Sequence, residues 1–355
     1  MSPADTITEP ETTKPEVTSS DEIVDAPLLS VEHLKTQFFT SRGVVKAVDD
    51  VSFTLSAGET LGVLGESGSG KSVTALSILR LVPSPAGRIV GGRILLDGED
   101  ILRVPVSRMQ KIRGKLISMI LQDPLTSLNP VFTVGDQIAE SLRIHQPTLG
   151  RLKERVLSLL NRVGIPDAER RLDSYPHQFS GGMRQRAVGA IAIASEPKLL
   201  IADEPTTSLD VTIQAQYLRL LKDLQKQSNL AILFITHDLG VAARVCDRVA
   251  VMYCGRIVEE APVRALFDRP AHPYTRGLIG SLPKLDRRSD RLTSIPGQPP
   301  QLHDVPPGCP FAPRCSEALN ICSQQSPPEV SLASGHRVTC WLHSDEEARQ
   351  SNHHG

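Results

Sequence analysis

The chain has 355 residues, 40% of them apolar, and its 39 basic and 40 acidic side chains give a net charge of −1. This length predicts about two domains, or one domain with an appendage. The balanced charge argues against a nucleic-acid binder, which carries a basic excess. No apolar run approaches the roughly 18 residues of a membrane span, and no secretory signal begins the chain. We therefore expect a soluble cytoplasmic protein that reaches a membrane only through a partner.

The chain begins with a polar segment and then becomes globular. Residues 1–27 are rich in Thr, Ser, Pro, Glu and Asp, a composition that predicts a disordered tail because little of it could be buried. From Leu28 onward, β-like apolar runs occupy residues 28–38 and 44–55. The tail is interpreted as a solvated linker without a function of its own.

The first functional motif lies at residues 65–72, GESGSGKS, which match the phosphate-binding P-loop pattern GxxxxGK[ST]. The apolar run 60–64 predicts a buried strand before the loop, and residues 72–79 predict a helix that begins at the loop. Glycines let backbone N–H groups turn inward around phosphate oxygens, and the helix N-terminus adds its unpaired donors and positive dipole end. A chance glycine-rich turn would lack this flanking strand and helix, so we predict a nucleoside triphosphate site.

The residues of this loop assigned to ATP are Gly65, Ser67, Gly68, Ser69, Gly70, Lys71 and Ser72. Lys71 can reach the β and γ phosphates, and the hydroxyl of Ser72 can bind Mg²⁺.

The following stretch alternates strand and helix patterns. Residues 91–98 predict a strand between turns, and residues 115–121, 198–202 and 231–236 predict further strands. Between them, apolar residues at helical spacing predict a helix with one buried face, formed by Leu152, Val156, Leu159, Leu160 and Val163. Strands that alternate with helices indicate an α/β fold with a largely parallel sheet.

An acidic pair follows the strand at residues 198–202. A P-loop enzyme needs a carboxylate at the end of a neighbouring strand to hold Mg²⁺, and Asp203 has this position. Glu204 is the next carboxylate, and it is placed to orient or deprotonate a water that attacks the γ-phosphate. Alone, such a pair would be a solvated loop, but its order after a P-loop favours catalysis.

Residues 179–186, FSGGMRQR, resemble the signature motif of ATP-binding-cassette (ABC) proteins and precede the acidic strand, as in that family. Gln122 resembles the family's Q-loop, residues 208–210 its D-loop, and His237 its switch histidine. The resemblance covers about residues 28–260. It implies an ABC-type nucleotide-binding domain with a mixed sheet and a helical subdomain at about residues 123–187.

The resemblance also implies a mechanism in which two such domains close head to tail around two ATP molecules. The signature residues implied to contact the ATP of the partner subunit are Ser180, Gly181, Gly182 and Gln185. Gln122 would bind Mg²⁺ and sense the γ-phosphate, His237 would contact the γ-phosphate, and both would join Glu204 as catalytic residues. Asp210 would organise the paired site. Adenine stacks on an aromatic residue upstream of the P-loop in this family, and the spacing favours Phe38 over Phe39.

Two further stretches resemble the oligopeptide and dipeptide importers within the family. One is the Q-loop region 122–130, QDPLTSLNP, and the other is the segment after residue 260, with HPYT at 272–275, IPGQPP at 295–300 and GCPFAPRC at 308–315. The resemblance implies a second ATPase subunit, two membrane permeases and an external peptide-binding protein, with this chain at the cytoplasmic face of the membrane. The alternatives are a related importer of nickel or another small solute, and a soluble cassette ATPase that acts on nucleic acid or ribosomes.

Residues 261–355 are proline-rich and weakly periodic, and they predict a small extension beyond a boundary near residue 260. Its four cysteines, spaced C-x5-C-x6-C-x17-C, are Cys309, Cys315, Cys322 and Cys340. Disulfides are not expected in the cytosol, and four thiolates suit an iron–sulfur cluster or zinc. Zinc sites usually contain a closer cysteine pair, and unligated thiols are the third alternative. The family resemblance implies a [4Fe–4S] cluster on these four cysteines.

The remaining candidates near this site are three histidines that could replace one cysteine ligand, namely His303, His336 and His343. Cys246 and Cys254 lie near a predicted strand and are interpreted as small buried hydrophobic residues.

Overall fold

A computed structural model describes residues 26–123, 127–147, 150–207, 209–282, 294–333 and 335–344 of the chain. The predicted tail therefore lies outside the described residues except for its last two positions. Residues 124–126 of the Q-loop region and Ser208 of the predicted D-loop also lie outside them.

Two sheets form the scaffold. In chain order the strands are β1 Leu29–Thr40, β2 Gly43–Leu55, β3 Thr60–Leu64, β4 Gly87–Leu96, β5 Glu99–Asp100, β6 Ile117–Ile120, β7 Leu199–Asp203, β8 Ala231–Thr236, β9 Arg248–Tyr253, β10 Arg256–Pro262, β11 Glu329–Ala333 and β12 His336–Thr339. The smaller sheet is antiparallel, in the order β2-β1-β4-β5. The larger sheet is mixed, in the order β11-β12-β10-β9-β3-β8-β7-β6, and its pairs from β9 to β6 are parallel.

The helices are α1 Lys71–Ile78, α2 Val106–Ile112, α3 Val134–His145, α4 Leu152–Arg162, α5 Ala168–Arg171, α6 Gly181–Ile193, α7 Val211–Ser228, α8 Leu239–Val245, α9 Val263–Asp268 and α10 Pro273–Gly280. Helices α3, α4 and α6 pack on one another. The helix face predicted for α4 is buried at Val156, Leu159 and Leu160. None of the helices in the described residues is long and apolar enough to span a membrane.

The central parallel strands are buried along their whole length, as expected for strands covered on both faces. β3 and β8 occupy the residues predicted for them, and every residue of both strands is buried. β7 begins and ends one residue later than predicted, so Asp203 is its last residue rather than the residue after it. The predicted α/β fold with a mixed sheet is confirmed. Cys246 and Cys254 are both buried, in agreement with their predicted packing role.

The extension continues the larger sheet of the cassette. β12 pairs antiparallel with β10, and β11 pairs with β12. The predicted boundary near residue 260 therefore falls within a strand. Buried residues of the extension, such as Phe311 and Trp341, belong to the same hydrophobic core cluster as Leu64 and Tyr253 of the cassette. The extension is thus packed onto the cassette rather than attached by a linker alone.

Candidate nucleotide-binding site

The P-loop connects the end of β3 to the start of α1, the strand–loop–helix context that a phosphate-binding loop requires. Gly70, the N-cap of α1, has φ +107°, a left-handed conformation that favours glycine. A Cβ atom at Gly70 would lie 2.2 Å from the carbonyl oxygen of Ala47, and one at Gly65 would lie 2.2 Å from that of Met252. Neighbouring backbone therefore fixes both ends of the loop and excludes side chains there.

The side chain of Lys71 lies inside this loop. Its Nζ donates hydrogen bonds to the carbonyl oxygens of Gly65 at 2.8 Å and Glu66 at 2.9 Å. Burial lowers the pKa of Lys71, and the nearby carboxylates of Glu204 and Asp203 act in the opposite direction. The structure thus places an ammonium group among the backbone groups predicted to surround the phosphates.

Ser72 and Asp203 come together although 131 residues separate them in the chain. The Ser72 hydroxyl, in the first turn of α1, donates to Asp203 Oδ1 at 3.1 Å, at the end of β7. Burial raises the pKa of Asp203, and the hydrogen bond from Ser72 lowers it. Hydroxyl and carboxylate oxygens are ligands that Mg²⁺ prefers, so the two predicted metal ligands fit this ion chemically.

Glu204 lies at the centre of a second group of side chains. Gln122 Nε2 donates to Glu204 Oε2 at 3.0 Å, and His237 Nδ1 lies 3.1 Å from Glu204 Oε1. Gln122 follows β6 and His237 follows β8, the strands on either side of β7. The carboxyl ends of these three parallel strands bring the three predicted catalytic residues into contact.

Thr207 is a member of this group that the sequence analysis missed. Its hydroxyl donates to Glu204 Oε2 at 3.1 Å. Glu204 itself has φ +46°, and its N–H donates to the carbonyl oxygen of Ile235 at 2.9 Å, which fixes the turn after β7. The sequence signal for Thr207 was its position three residues after Glu204, in a tight turn that returns a hydroxyl to the carboxylate.

The signature residues occupy the start of α6. Ser180 is exposed and caps the helix, and its hydroxyl oxygen accepts a hydrogen bond from the N–H of Met183 at 3.3 Å. Gly182 packs closely on α7, because a Cβ atom there would lie 2.5 Å from Ile213 Cγ2. Gly181 is exposed and has open space around it. The exposed end of this helix thus carries a hydroxyl and unpaired backbone donors, as an anion site requires.

Gln185 differs from its prediction. Its side chain is fully buried within α6, on the side of Tyr217. It therefore does not share the exposed surface of Ser180, and the predicted contact of Gln185 with a partner's ATP finds no support in this structure. Asp210, by contrast, is the N-cap of α7, and its Oδ1 accepts hydrogen bonds from the N–H groups of Thr212 and Ile213.

The candidate adenine residue Phe38 lies on β1, opposite Val45 of β2 and Gly87 of β4. Its ring is packed against Gly87, since a Cβ atom at that glycine would lie 2.8 Å from a ring carbon. Phe39 is 44% exposed, and the guanidinium of Arg88 covers its ring at 5.3 Å from the centroid. Adenine stacking on Phe38 stays a prediction.

The four extension cysteines are free and line one small cavity. Burial, with a smaller contribution from the neighbouring cysteines, raises the pKa of Cys309 and of Cys340 to about 11. As the side chains stand, no group of three or more His, Cys, Asp and Glu residues among those described is arranged to hold a single metal ion.

The histidine beside these cysteines is His272, which the sequence analysis did not consider as a ligand. It lines the same cavity and is buried, and its pKa is lowered to about 3 by burial. Two of the histidines predicted to replace a cysteine ligand make other contacts: His336 Nε2 contacts Glu259, and His343 Nε2 contacts the carbonyl of Ala271. His303 is exposed and does not line the cavity.

Comparison with known proteins agrees with this geometry. Residues 48–207 match the family model for ABC transporters, and residues 258–322 match the model for the oligopeptide/dipeptide transporter C-terminal region. The dipeptide transport ATP-binding protein DppD of Bacillus subtilis strain 168 is 50% identical over 325 residues, covering 91% of this chain and 97% of the relative. The oligopeptide transport ATP-binding protein AppD of the same organism is 50% identical over 325 residues, covering 91% and 99%.

Solved structures show the same fold. The dimeric structure of MJ0796, a bacterial ABC transporter cassette, aligns with a TM-score of 0.60 at 25% identity, over 66% of this chain and 99% of that one. The part of this chain beyond such a cassette includes the extension matched by the second family model. On these family matches and relatives, the chain belongs to the ABC transporter ATP-binding proteins, in the oligopeptide/dipeptide transporter subfamily, and is an ATPase.

Proposed function

We propose that this ATPase powers the import of dipeptides or oligopeptides through a membrane permease complex. The observation that carries the proposal is the extension. It matches the oligopeptide/dipeptide transporter C-terminal region, and it is built into the sheet of the cassette. The names of the relatives, which describe dipeptide and oligopeptide transport, support the same substrate class.

In the proposed reaction, the backbone of the P-loop and the Lys71 ammonium bind the β and γ phosphates of ATP. Ser72, Asp203 and Gln122 would hold Mg²⁺, which neutralises the charge that develops on the phosphate oxygens. Glu204 would accept a proton from the attacking water, and His237 would contact the γ-phosphate. The hydrogen bonds from Gln122 and Thr207 support this role, because they orient the Glu204 carboxylate.

The site is completed by a second ATPase subunit. Ser180 and Gly182 lie at the start of α6, where they would contact the ATP bound to the partner subunit. In the same way, the signature motif of the partner would contact the ATP bound to the P-loop of this chain. Asp210 would align the two halves. The solved relatives of this fold include dimeric cassettes. A heterodimer with a similar ATPase is proposed.

A groove beside the Q-loop is the proposed contact with the permeases. Its lining includes Leu81 and Leu121, which are about half exposed, together with Ile191 of the helical subdomain. Leu121 directly precedes Gln122, so movement at the nucleotide would reach the groove through adjacent residues. This contact would hold the chain at the cytoplasmic face of the membrane, with a peptide-binding protein on the opposite side.

Peptide uptake in cells that lack this gene tests the proposal. We expect wild-type chain to restore uptake of labelled dipeptides and oligopeptides, and Glu204→Gln, which removes the proposed base, to fail to restore it. Glu154→Gln, an exposed change on α4, is the matched control and should restore uptake. Gene-dependent uptake of nickel or another solute, with peptide uptake unchanged, would contradict the substrate class.

We also propose that Cys309, Cys315, Cys322 and Cys340 hold a [4Fe–4S] cluster. All four cysteines line one small cavity, and four thiolates are the ligand set of such a cluster. His272 supports a sulfur-containing occupant. Its Nδ1 accepts from the N–H of Tyr274, so the proton resides on Nε2, which is buried and unpartnered at this cavity. Such a donor fits a thiolate or sulfide acceptor. When bound, the cluster would cross-link this weakly periodic segment.

Anaerobic purification tests the cluster. We expect brown protein with about four iron and four sulfide per chain, since four thiolates bind such clusters. Cys322→Ser should lose the colour and lower the melting temperature, whereas Cys254→Ser, a buried cysteine outside the cavity, should keep the iron. Colourless wild-type protein with stoichiometric zinc would contradict the proposal.

A further inference from the structure

The extension contacts the P-loop directly through an ion pair. Arg314 Nη1 donates to Glu66 Oε2 at 2.8 Å, and Arg314 Nη2 donates to Glu66 Oε1 at 3.2 Å. Glu66 is the second residue of the P-loop, 248 positions earlier in the chain. The two parallel bonds match the guanidinium fork to the carboxylate, the geometry that gives such pairs their strength and directionality.

Arg314 is held firmly on its other sides. Its side chain is only 5% exposed, and its Nε donates to the carbonyl oxygen of Pro296 at 3.0 Å. Nη1 also reaches the hydroxyl of Tyr253 at 3.3 Å, and the guanidinium lies 5.9 Å from the ring of Phe311. Because these contacts fix the guanidinium, the carboxylate that it binds is also held in place.

The backbone of Glu66 is held by the same region. Its N–H donates to the hydroxyl of Tyr274 at 3.0 Å, and Tyr274 lies on α10, beyond the cassette. The rings of Tyr274, Tyr253 and Phe311 pack together with centroids 4.6 to 5.4 Å apart. The N–H of Glu66 is therefore held by Tyr274 of this aromatic cluster, and its carboxylate is held by Arg314 of the loop 309–315, which also contributes Phe311 to the cluster.

We propose that Arg314 is a positioning residue for ATP binding. It acts through Glu66 to hold the first turn of the P-loop in the form that binds phosphate. Because Arg314 directly precedes Cys315, the ion pair joins the P-loop to the loop that carries Cys309 and Cys315. The inference goes beyond peptide import, and it rests on the assignment of residues 65–72 to the phosphates, which the Lys71→Ala variant tests separately.

The test compares full-length variants purified with their native cysteine module. Arg314→Gln and Glu66→Gln each remove one partner of the ion pair, and the double variant removes both. The matched control is Arg276→Gln, which breaks an exposed pair between α10 and Glu317 but does not touch the P-loop. The readouts are the dissociation constant of a fluorescent ATP analogue, KM and kcat for ATP, and hydrogen exchange of residues 65–72.

We expect each single variant to weaken ATP binding by about tenfold, within the range of energetic coupling between protein sites. KM should rise while kcat at saturating ATP stays near wild type, and exchange of residues 65–72 should increase without nucleotide. The double variant should bind ATP as well as each single variant does, since each substitution removes the same ion pair. Arg276→Gln should match wild type.

The Glu66→Gln variant distinguishes a role of Arg314 in positioning the P-loop from a role in folding the extension, because it leaves every contact of Arg314 within the extension in place. Normal ATP affinity and normal P-loop exchange in Glu66→Gln would overturn the proposal, even if Arg314→Gln lowers the melting temperature. Additive losses in the double variant would also overturn it, because two residues that act through one ion pair cannot contribute independently.

Discussion

The Glu204→Gln variant is expected to hydrolyse ATP about 10²- to 10⁴-fold more slowly than wild type, the usual contribution of a general base. An amide preserves the volume of the side chain and accepts a hydrogen bond from Gln122 or Thr207, so the fold of the turn should survive. It cannot accept a proton from the attacking water. ATP should therefore bind normally and hold two subunits together. Single-turnover hydrolysis and size-exclusion chromatography with ATP measure the two effects.

The comparison for this result is His237→Ala, which removes the contact at Glu204 Oε1 and leaves the contacts of Gln122 and Thr207 in place. It should slow hydrolysis without converting the carboxylate to an amide, and its defect should not add fully to that of Glu204→Gln. If Glu204→Gln hydrolyses ATP at nearly the wild-type rate, Glu204 is not the general base, and its hydrogen bonds have a purely structural role.

The Lys71→Ala variant is expected to lose ATP affinity by about 10- to 100-fold, the range for losing a hydrogen bond to a charged group. The reason lies in the position of the ammonium, which is buried within the loop and bonded to the carbonyls of Gly65 and Glu66. Without it, the phosphates would lose the ammonium group that the loop holds, and the carbonyl oxygens of Gly65 and Glu66 would lose their hydrogen-bond donor. Isothermal titration with ATP and Mg²⁺ measures the loss.

Lys222→Ala is the matched control, since this lysine pairs with Asp247 on the surface, away from the P-loop. It should bind ATP as wild type does. A Lys71→Ala protein that binds ATP normally but fails to hydrolyse it would assign Lys71 to the transition state alone and would contradict the proposed ground-state contact.

Much of the nucleotide site was predictable because its parts are local. The strand–loop–helix around the P-loop follows from an apolar run, glycines and a helix pattern within 20 residues of sequence, and the structure reproduces β3 residue for residue. The meeting of Gln122, Glu204 and His237 was predictable for a different reason. Each follows a strand of one parallel sheet, and the carboxyl ends of such strands share one side of the sheet.

Other features depend on contacts that no local pattern encodes. Gln185 lies within a motif, but the packing of α6 on α7 decides that it is buried. Strands β11 and β12 are short and not strongly periodic, and they form by pairing: β12 pairs with β10, and β11 pairs with β12. The ion pair of Arg314 with Glu66 joins residues 248 positions apart, so only the folded chain brings them together.

The pairing of β12 with β10 has a consequence for any attempt to isolate the cassette. β10 carries Glu259, whose buried carboxylate accepts hydrogen bonds from the N–H groups of Ala271 and His272 and contacts His336. A protein truncated after residue 262 would expose an open sheet edge and strand a carboxylate without its donors. Such edges recruit strands from other molecules. The extension therefore also covers the edge of β10 and supplies the hydrogen-bond donors of the Glu259 carboxylate.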